Sequence, residues 1–364
     1  MLMNGAVKYL GLFAVAIGAG WTMAAEDPRD DLLPKLEPKP YWIGATASHV
    51  AEPMDPIFER DAAWPKAVNA LNLYKYYGVL APSPSPKWAT DMSVPALVAF
   101  CKRNGLCLEC EFGSFAVGSG KKLSDSAFAH AVAQVDPIVA AGGKVGRMTL
   151  DGPVCRTVRG IVKHHDAMTL DAISTELARF FVLVRKRYPG IQIGLTPNLP
   201  NWDYSKDQVG YNGHNTDLSG HTYLAVLERI EKALAAAGEQ MDFIEVDCPF
   251  NYYRETRTRA GDATVDNARK LRDLQAWCTE RNIEFVLIVN AEHRGGGGKA
   301  FHDLTIEFVR SLRKHGVFPD GFLIQSWYDK PDRNLPETQA GTFSNTVRDA
   351  ALLINELFPR LPST

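Results

Sequence analysis

The chain has 364 residues, 46% of them hydrophobic and 23% charged. That is ordinary globular composition, with material for a full core. The formal net charge is −2 with no long run of either sign, so there is no electrostatic footprint for nucleic acid or for an anionic membrane.

Residues 1–24 read as a secretory signal. Lys8 supplies the positive start, Tyr9 to Gly20 the apolar stretch, and Thr22 with Ala24 the small residues of a cleavage site. The stretch is short for a membrane span, which takes about 20 residues. The expected product is secreted or periplasmic, with no membrane attachment after cleavage. Residues 25–40 then form a polar, Pro-rich tail. The six cysteines are Cys101, Cys107, Cys110, Cys155, Cys248 and Cys278. Buried thiols are the expectation for a domain of this size, with Cys155 and Cys248 the one pair placed to bridge. Cys107 and Cys110 have metal-type spacing, but in a strand they face opposite sides.

A first strand is expected at Tyr41–Thr46. A helix over Pro56–Leu71 carries Phe58, Trp64 and Val68 inward, and a second strand covers Asn72–Tyr77. The helix Val94–Arg103 stops at Asn104-Gly105, a C-terminal signal. Strand three is Leu106–Phe112. Ser124 is positioned to cap the next helix, which ends at Gly142-Gly143 before strand four, Val145–Asp151. An amphipathic helix covers Thr169–Tyr188, with Leu170, Ile173, Leu177, Phe181 and Val184 recurring at three and four. Strand five is Ile191–Thr196, followed by a long polar loop to Gly220. Then come helix Thr222–Ala237, strand Asp242–Asp247, helix Asp262–Arg281, strand Ile283–Asn290, helix Lys299–His315, strand Gly321–Trp327 and helix Phe343–Leu357.

Eight strand–helix units in sequence imply parallel crossovers closing into a single-domain (β/α)8 TIM barrel over 41–364. An open doubly wound sheet is the alternative. It would need a Gly-rich turn after the first strand to suit a nucleotide, and none is present. Gly295–Gly298 lacks the Lys-Ser/Thr ending of a phosphate loop. No cofactor and no metal site is expected.

In such barrels the loops after the strands form the active face. Here those loops are the long ones, and the strands end in acids. Glu111, Asp151, Asp247 and Glu292 gather there with Asn198, Asn290 and Gln325, ringed by Trp42, Trp202, Tyr252 and Trp327. Carboxylates and amides accept sugar hydroxyls, and sugar faces stack on aromatics. Two carboxylates then cleave a glycosidic bond, one protonating the leaving oxygen while the other attacks carbon or activates water. The deeper acids Glu109 and Glu245 are expected in ion pairs, with Lys75 or Arg147 as cations. Lys75 is also placed among the substrate contacts.

This layout resembles the (β/α)8-barrel glycoside hydrolases over residues 41–358, on the acids ending strands four, six and seven and on Trp327 ending strand eight. The acid placement is most similar to the alpha-galactosidase group. That resemblance implies Asp151 as nucleophile and Asp247 as acid/base, with Glu292 the alternative partner. The Asn-Glu ending of strand four found in the commonest barrel group is absent, since strand four ends Leu150-Asp151-Gly152. The spaced acids of the chitinase pattern are absent too. The expected function is cleavage of a poly- or oligosaccharide. A non-catalytic glycan-binding barrel and a metal-dependent sugar-isomerase-like barrel are the rivals. The isomerase pattern usually adds His at strand ends. His293 is the only one adjacent to these acids, and it has opposite parity to Glu292.

Overall fold

A computed structural model describes residues 42–46, 55–77, 93–112, 123–154, 168–197, 199, 223–254, 266–291, 296–326 and 330–358. The expectations for residues 1–41 lie outside them. Among the described residues, no helix is long and apolar enough to cross a membrane.

The strands are β1 (Trp42–Thr46), β2 (Leu73–Tyr77), β3 (Cys107–Phe112), β4 (Val145–Asp151), β5 (Gln192–Thr196), β6 (Phe243–Asp247), β7 (Glu284–Val289) and β8 (Gly321–Gln325). They close in sequence order into one barrel, each pairing parallel with its neighbours and β8 with β1. The expected (β/α)8 fold is therefore present. The helices are α1 (Asp55–Glu59), α2 (Pro65–Ala70), α3 (Val94–Asn104), α4 (Leu123–Ala140), α5 (Leu170–Arg187), α6 (Tyr223–Ala236), α7 (Phe250–Arg254), α8 (Asn267–Glu280), α9 (Gly297–Lys314) and α10 (Phe343–Leu357).

Strand alternation makes two cores. Ile43, Tyr74, Cys110, Met148, Ile193, Ile244, Leu287 and Ile324 point outward, where they meet the helices in one large buried cluster. The lumen holds a second, small apolar cluster of Leu73, Ile288 and Leu323. Most other inward positions are polar, unlike the branched apolar layers usual in such barrels.

Local signals explain most boundaries. Thr169 caps α5 by accepting a hydrogen bond from the Ala172 N–H at 3.2 Å. Gly105 ends α3 in the left-handed region at φ 65°, where a side chain is strained. Two expectations change. The helix expected over 56–71 splits at Pro65, which has no N–H to donate and pushes Trp64 out of helical geometry. Phe58, Trp64 and Val68 are still buried. The second half, α2, is capped by Glu337, which accepts from the Lys66 and Ala67 N–H groups at 3.3 and 2.9 Å. Ser124 is not a cap but lies inside α4. Its N–H and hydroxyl both donate to Glu176 of α5, each at 2.8 Å. Cys101, Cys107, Cys110 and Cys248 are free thiols, so no Cys155–Cys248 bridge forms. Cys107 and Cys110 face opposite sides, as alternation requires.

Candidate active site

Followed once round from Thr46, the hydrogen-bonded register returns to β1 eight residues lower, the shear of a closed eight-strand barrel. Inward residues therefore stack in layers drawn from alternate strands. The layer nearest the C-terminal face holds Asp151 of β4, Asp247 of β6 and Gln325 of β8. Below it lie Glu111, Thr196 and Ile288, then Lys75, Thr149, Glu245 and Leu323. Glu109, Gly194 and Val286 come next, and Leu73, Arg147 and Phe243 below them.

The lower lumen is a continuous ion lattice. The Lys75 ammonium is fully buried between the carboxyls of Glu111 and Glu245, close to both. Arg147 donates through Nε to Glu109 at 3.0 Å and through Nη1 to Glu284 at 2.7 Å. Its guanidinium also lies 3.9 Å from the centre of the Phe243 ring. Glu109 and Glu245 are within hydrogen-bonding reach of each other. Neither Oε1 of Glu109 nor Oε2 of Glu245 receives a donor from another described residue. A proton on Glu109, donated toward Glu245, satisfies both oxygens.

Burial pushes Glu109 well above the usual carboxylate range, with Glu245 adding to the shift and Arg147 opposing it. Burial likewise pushes Glu111 up to about 8, with Lys75 opposing and Asp151 and Glu245 reinforcing. For Lys75, burial works against the charge, but Glu111, Glu245 and Glu109 together raise its pKa above the ordinary lysine value. The cation is locked in place.

The rim is different. Asp151 and Asp247 are half-buried. They sit on alternate strands, two inter-strand spacings apart, so their Cα atoms are about 9–10 Å from each other. Asn290 is buried just above β7 and donates through Nδ2 to Asp247 Oδ1 at 3.3 Å. Its own Oδ1 has no partner among the described residues. Gln325 is fully buried, with neither amide atom partnered there. The Thr149 and Thr196 hydroxyls meet at 2.6 Å beneath the aspartates. The Phe250 N–H donates to the Asn290 carbonyl at 3.0 Å, seating α7 on the end of β7. That brings half-buried Tyr252 to the same face.

The barrel thus gathers Asp151, Asp247, Asn290, Gln325 and, one layer lower, Glu111. Two expectations are corrected. Lys75 is not a substrate contact: it is sealed two layers below the rim by its carboxyl partners. Trp42 begins β1 and so lies at the N-terminal end of the barrel, opposite the rim, because strand direction and not aromatic character decides which end a residue occupies. The ion-pair expectation for Glu109 and Glu245 holds, with Arg147 and Lys75 as the cations. Glu292, Asn198, Trp202 and Trp327 lie outside the described residues. Thr149 and Thr196 were missed, although each follows from counting in twos along its strand. Among the described residues, no group of three or more His, Cys, Asp or Glu side chains is placed to hold a metal ion.

No protein-family model matches the chain, and no curated protein matches it in sequence. Solved structures match it in fold. GH5_18 from Streptomyces cattleya, in complex with GlcNAc, aligns with a TM-score of 0.52 at 12% identity, over 90% of this chain and 82% of that one. The shared feature is the barrel. Active domain 2 of a thermostable chitinase from Pyrococcus furiosus aligns at TM-score 0.43 and 14% identity, over 90% and 98% of the two chains. A sugar phosphate isomerase/epimerase from Parabacteroides distasonis aligns at 0.44 and 10%, over 85% and 93%.

Proposed function

We propose that the chain is an exported glycoside hydrolase acting on a poly- or oligosaccharide, with Asp151 as nucleophile or base and Asp247 as acid. Glu292 is the alternative partner for Asp151. One observation carries the reading: two half-buried carboxylates end alternate strands in the same layer at the open face of the barrel. Every other inward acid in the described lumen is tied to a buried cation or lies deeper. Glycoside hydrolysis needs two carboxyl groups flanking one bond, at roughly 5–5.5 Å for retention or roughly 6.5–9.5 Å for inversion. Side chains leaning inward from Cα atoms about 9–10 Å apart reach this range.

The roles are those that the barrel layout implies. Asp247 accepts from the Asn290 amide, which fixes its rotamer toward the mouth. As a carboxylic acid it protonates the leaving oxygen; Asp151 then attacks the anomeric carbon or directs water to it. The amide of Gln325 and Oδ1 of Asn290 have hydrogen-bonding capacity that sugar hydroxyls, both donors and acceptors, would fill. Deacetylated and acetylated aryl glycosides and a panel of polysaccharides give the assay. Asp151→Asn and Asp247→Asn are expected to lower kcat by roughly 10²–10⁴-fold while calorimetry still records sugar binding. Azide should restore turnover in one of the two if the reaction retains configuration. Turnover undiminished in both variants would overturn the assignment. Affinity for sugar with no turnover in the parent chain would favour a glycan-binding barrel.

A further inference from the structure

Below the rim aspartates, the described lumen contains two cations, Lys75 and Arg147, against four carboxyls, Glu109, Glu111, Glu245 and Glu284. Burying net charge is costly, so the lattice closes only by holding protons. One sits on Glu109, within hydrogen-bonding reach of Glu245. The second belongs on Glu111. Lys75 takes its Oε2. Its Oε1 is fully buried and has no partner among the described residues. An ionised oxygen there would be orphaned, whereas a protonated one becomes a donor.

The register places an acceptor above that donor. Glu111 pairs with Thr149, so Asp151, two residues on, stands one layer above it on the adjacent strand. The Thr149 and Thr196 hydroxyls beside it meet at 2.6 Å, one donating and the other accepting. We infer that Glu111, clamped by Lys75 beneath Asp151, is a positioning residue: it carries a proton and hydrogen-bonds upward to the Asp151 carboxylate. The inference rests on Asp151 being a reacting group of the rim site. While neutral, Glu111 orients Asp151 and sets no like charge against it. Once ionised, it loses the donor and repels the nucleophile.

The charged groups facing Glu111 are Lys75 from β2, Asp151 from β4 and Glu245 from β6. Glu109 lies below it on its own strand. The inward residues of β5, β7 and β8 at this depth are Thr196, Ile288, Leu323 and Gln325, all uncharged. Burial, the strongest influence, keeps the proton on Glu111 up to about pH 8.

Glu111→Gln separates this role from catalysis, because the amide keeps a donor and cannot ionise. Two readouts on the full chain decide it. The first is a pH-difference infrared titration of the protonated carboxyl stretch, which needs no activity. The parent should lose such a band near pH 8, and the variant should lack that transition. The second is the pH profile of kcat/KM. The parent should show a basic limb near pH 8, and the variant should move that limb upward by a pH unit or more while its kcat stays within about tenfold of the parent. Should the glutamine variant fail to fold, Glu111→Asp keeps the carboxyl, and its band midpoint must shift from the parent's. An unchanged band in either variant overturns the inference, leaving the assignment of Asp151 and Asp247 untouched. A loss in E111Q as deep as in D151N at every pH also overturns it, making Glu111 a catalytic group. If the parent shows no turnover on any glycoside, the rim assignment fails and the infrared result alone decides the protonation of Glu111.

Discussion

Lys75 shows how much one buried charge decides. Its ammonium is fully buried and donates to two carboxyls at once. Replacing it with Met keeps most of the volume but leaves Glu111 and Glu245 facing each other without a cation. Removing one partner of a buried ion pair typically costs about 3–5 kcal/mol. Lys75→Met should therefore lower the unfolding free energy by about that amount in urea titrations at pH 7. Adding Glu245→Met should recover part of the loss, because an apolar layer then replaces the broken pair beside Leu323. A loss below about 1 kcal/mol in the single variant would mean that water or a rotated Arg147 stands in for the ammonium.

At the level of elements, adjoining strands depend on each other through small residues. Gly194 of β5 faces Phe243 of β6, whose ring occupies the space where a Cβ would sit. That ring in turn carries the Arg147 guanidinium. Gly194→Ala should displace the ring and cost about 1–3 kcal/mol, as overpacking does. Combining it with Phe243→Leu should return only part of the loss, read as the shift in thermal midpoint, because the Phe243 carbonyl oxygen would lie 2.6 Å from the same Cβ. This coupling also shows what a sequence discloses. Alternation in β3, β4, β6 and β7 revealed the strands, their faces and the inward parity of Glu109, Glu111, Glu245 and Asp247, because each signal is local to one strand. The lattice was less legible. Lys75 meets Glu245 across the lumen from strands far apart in sequence, and only the barrel's shear brings β2 and β6 to the same height. The same missing information hides the depth of Lys75, whereas the place of Trp42 at the start of β1 follows from strand direction alone. The partner of Ser124, Glu176, comes from the next helix, so no signal local to α4 discloses it.

For the whole molecule, protons held inside the barrel make stability depend on pH. Glu111 has a folded pKa of about 8, far above that of an exposed glutamate, and Glu109 is raised as well. Between the unfolded and folded values the native state binds more protons than the unfolded chain, so the unfolding free energy falls as pH rises through this window. The interaction is fully present below the unfolded pKa and is lost on approach to pH 8. Each such proton gives a slope of up to about 1.4 kcal/mol per pH unit. The salt-bridged surface acids act the other way at lower pH: Asp136, Asp303 and Asp349 are held below the usual carboxylate range, by Tyr188, by Lys299 and, against the pull of burial, by Arg348 respectively. They lose stability as pH falls through their folded values. The stability curve should therefore peak on the acidic side of neutrality, between the two effects. Glu111→Gln removes one lumen proton from the balance, so its curve should be flatter than the parent's from pH 6 to pH 8 and the two should diverge most at the alkaline end. Guanidinium unfolding midpoints at half-unit pH intervals measure this directly. Parallel curves for parent and variant would show that Glu111 titrates in the folded chain as it does in the unfolded one.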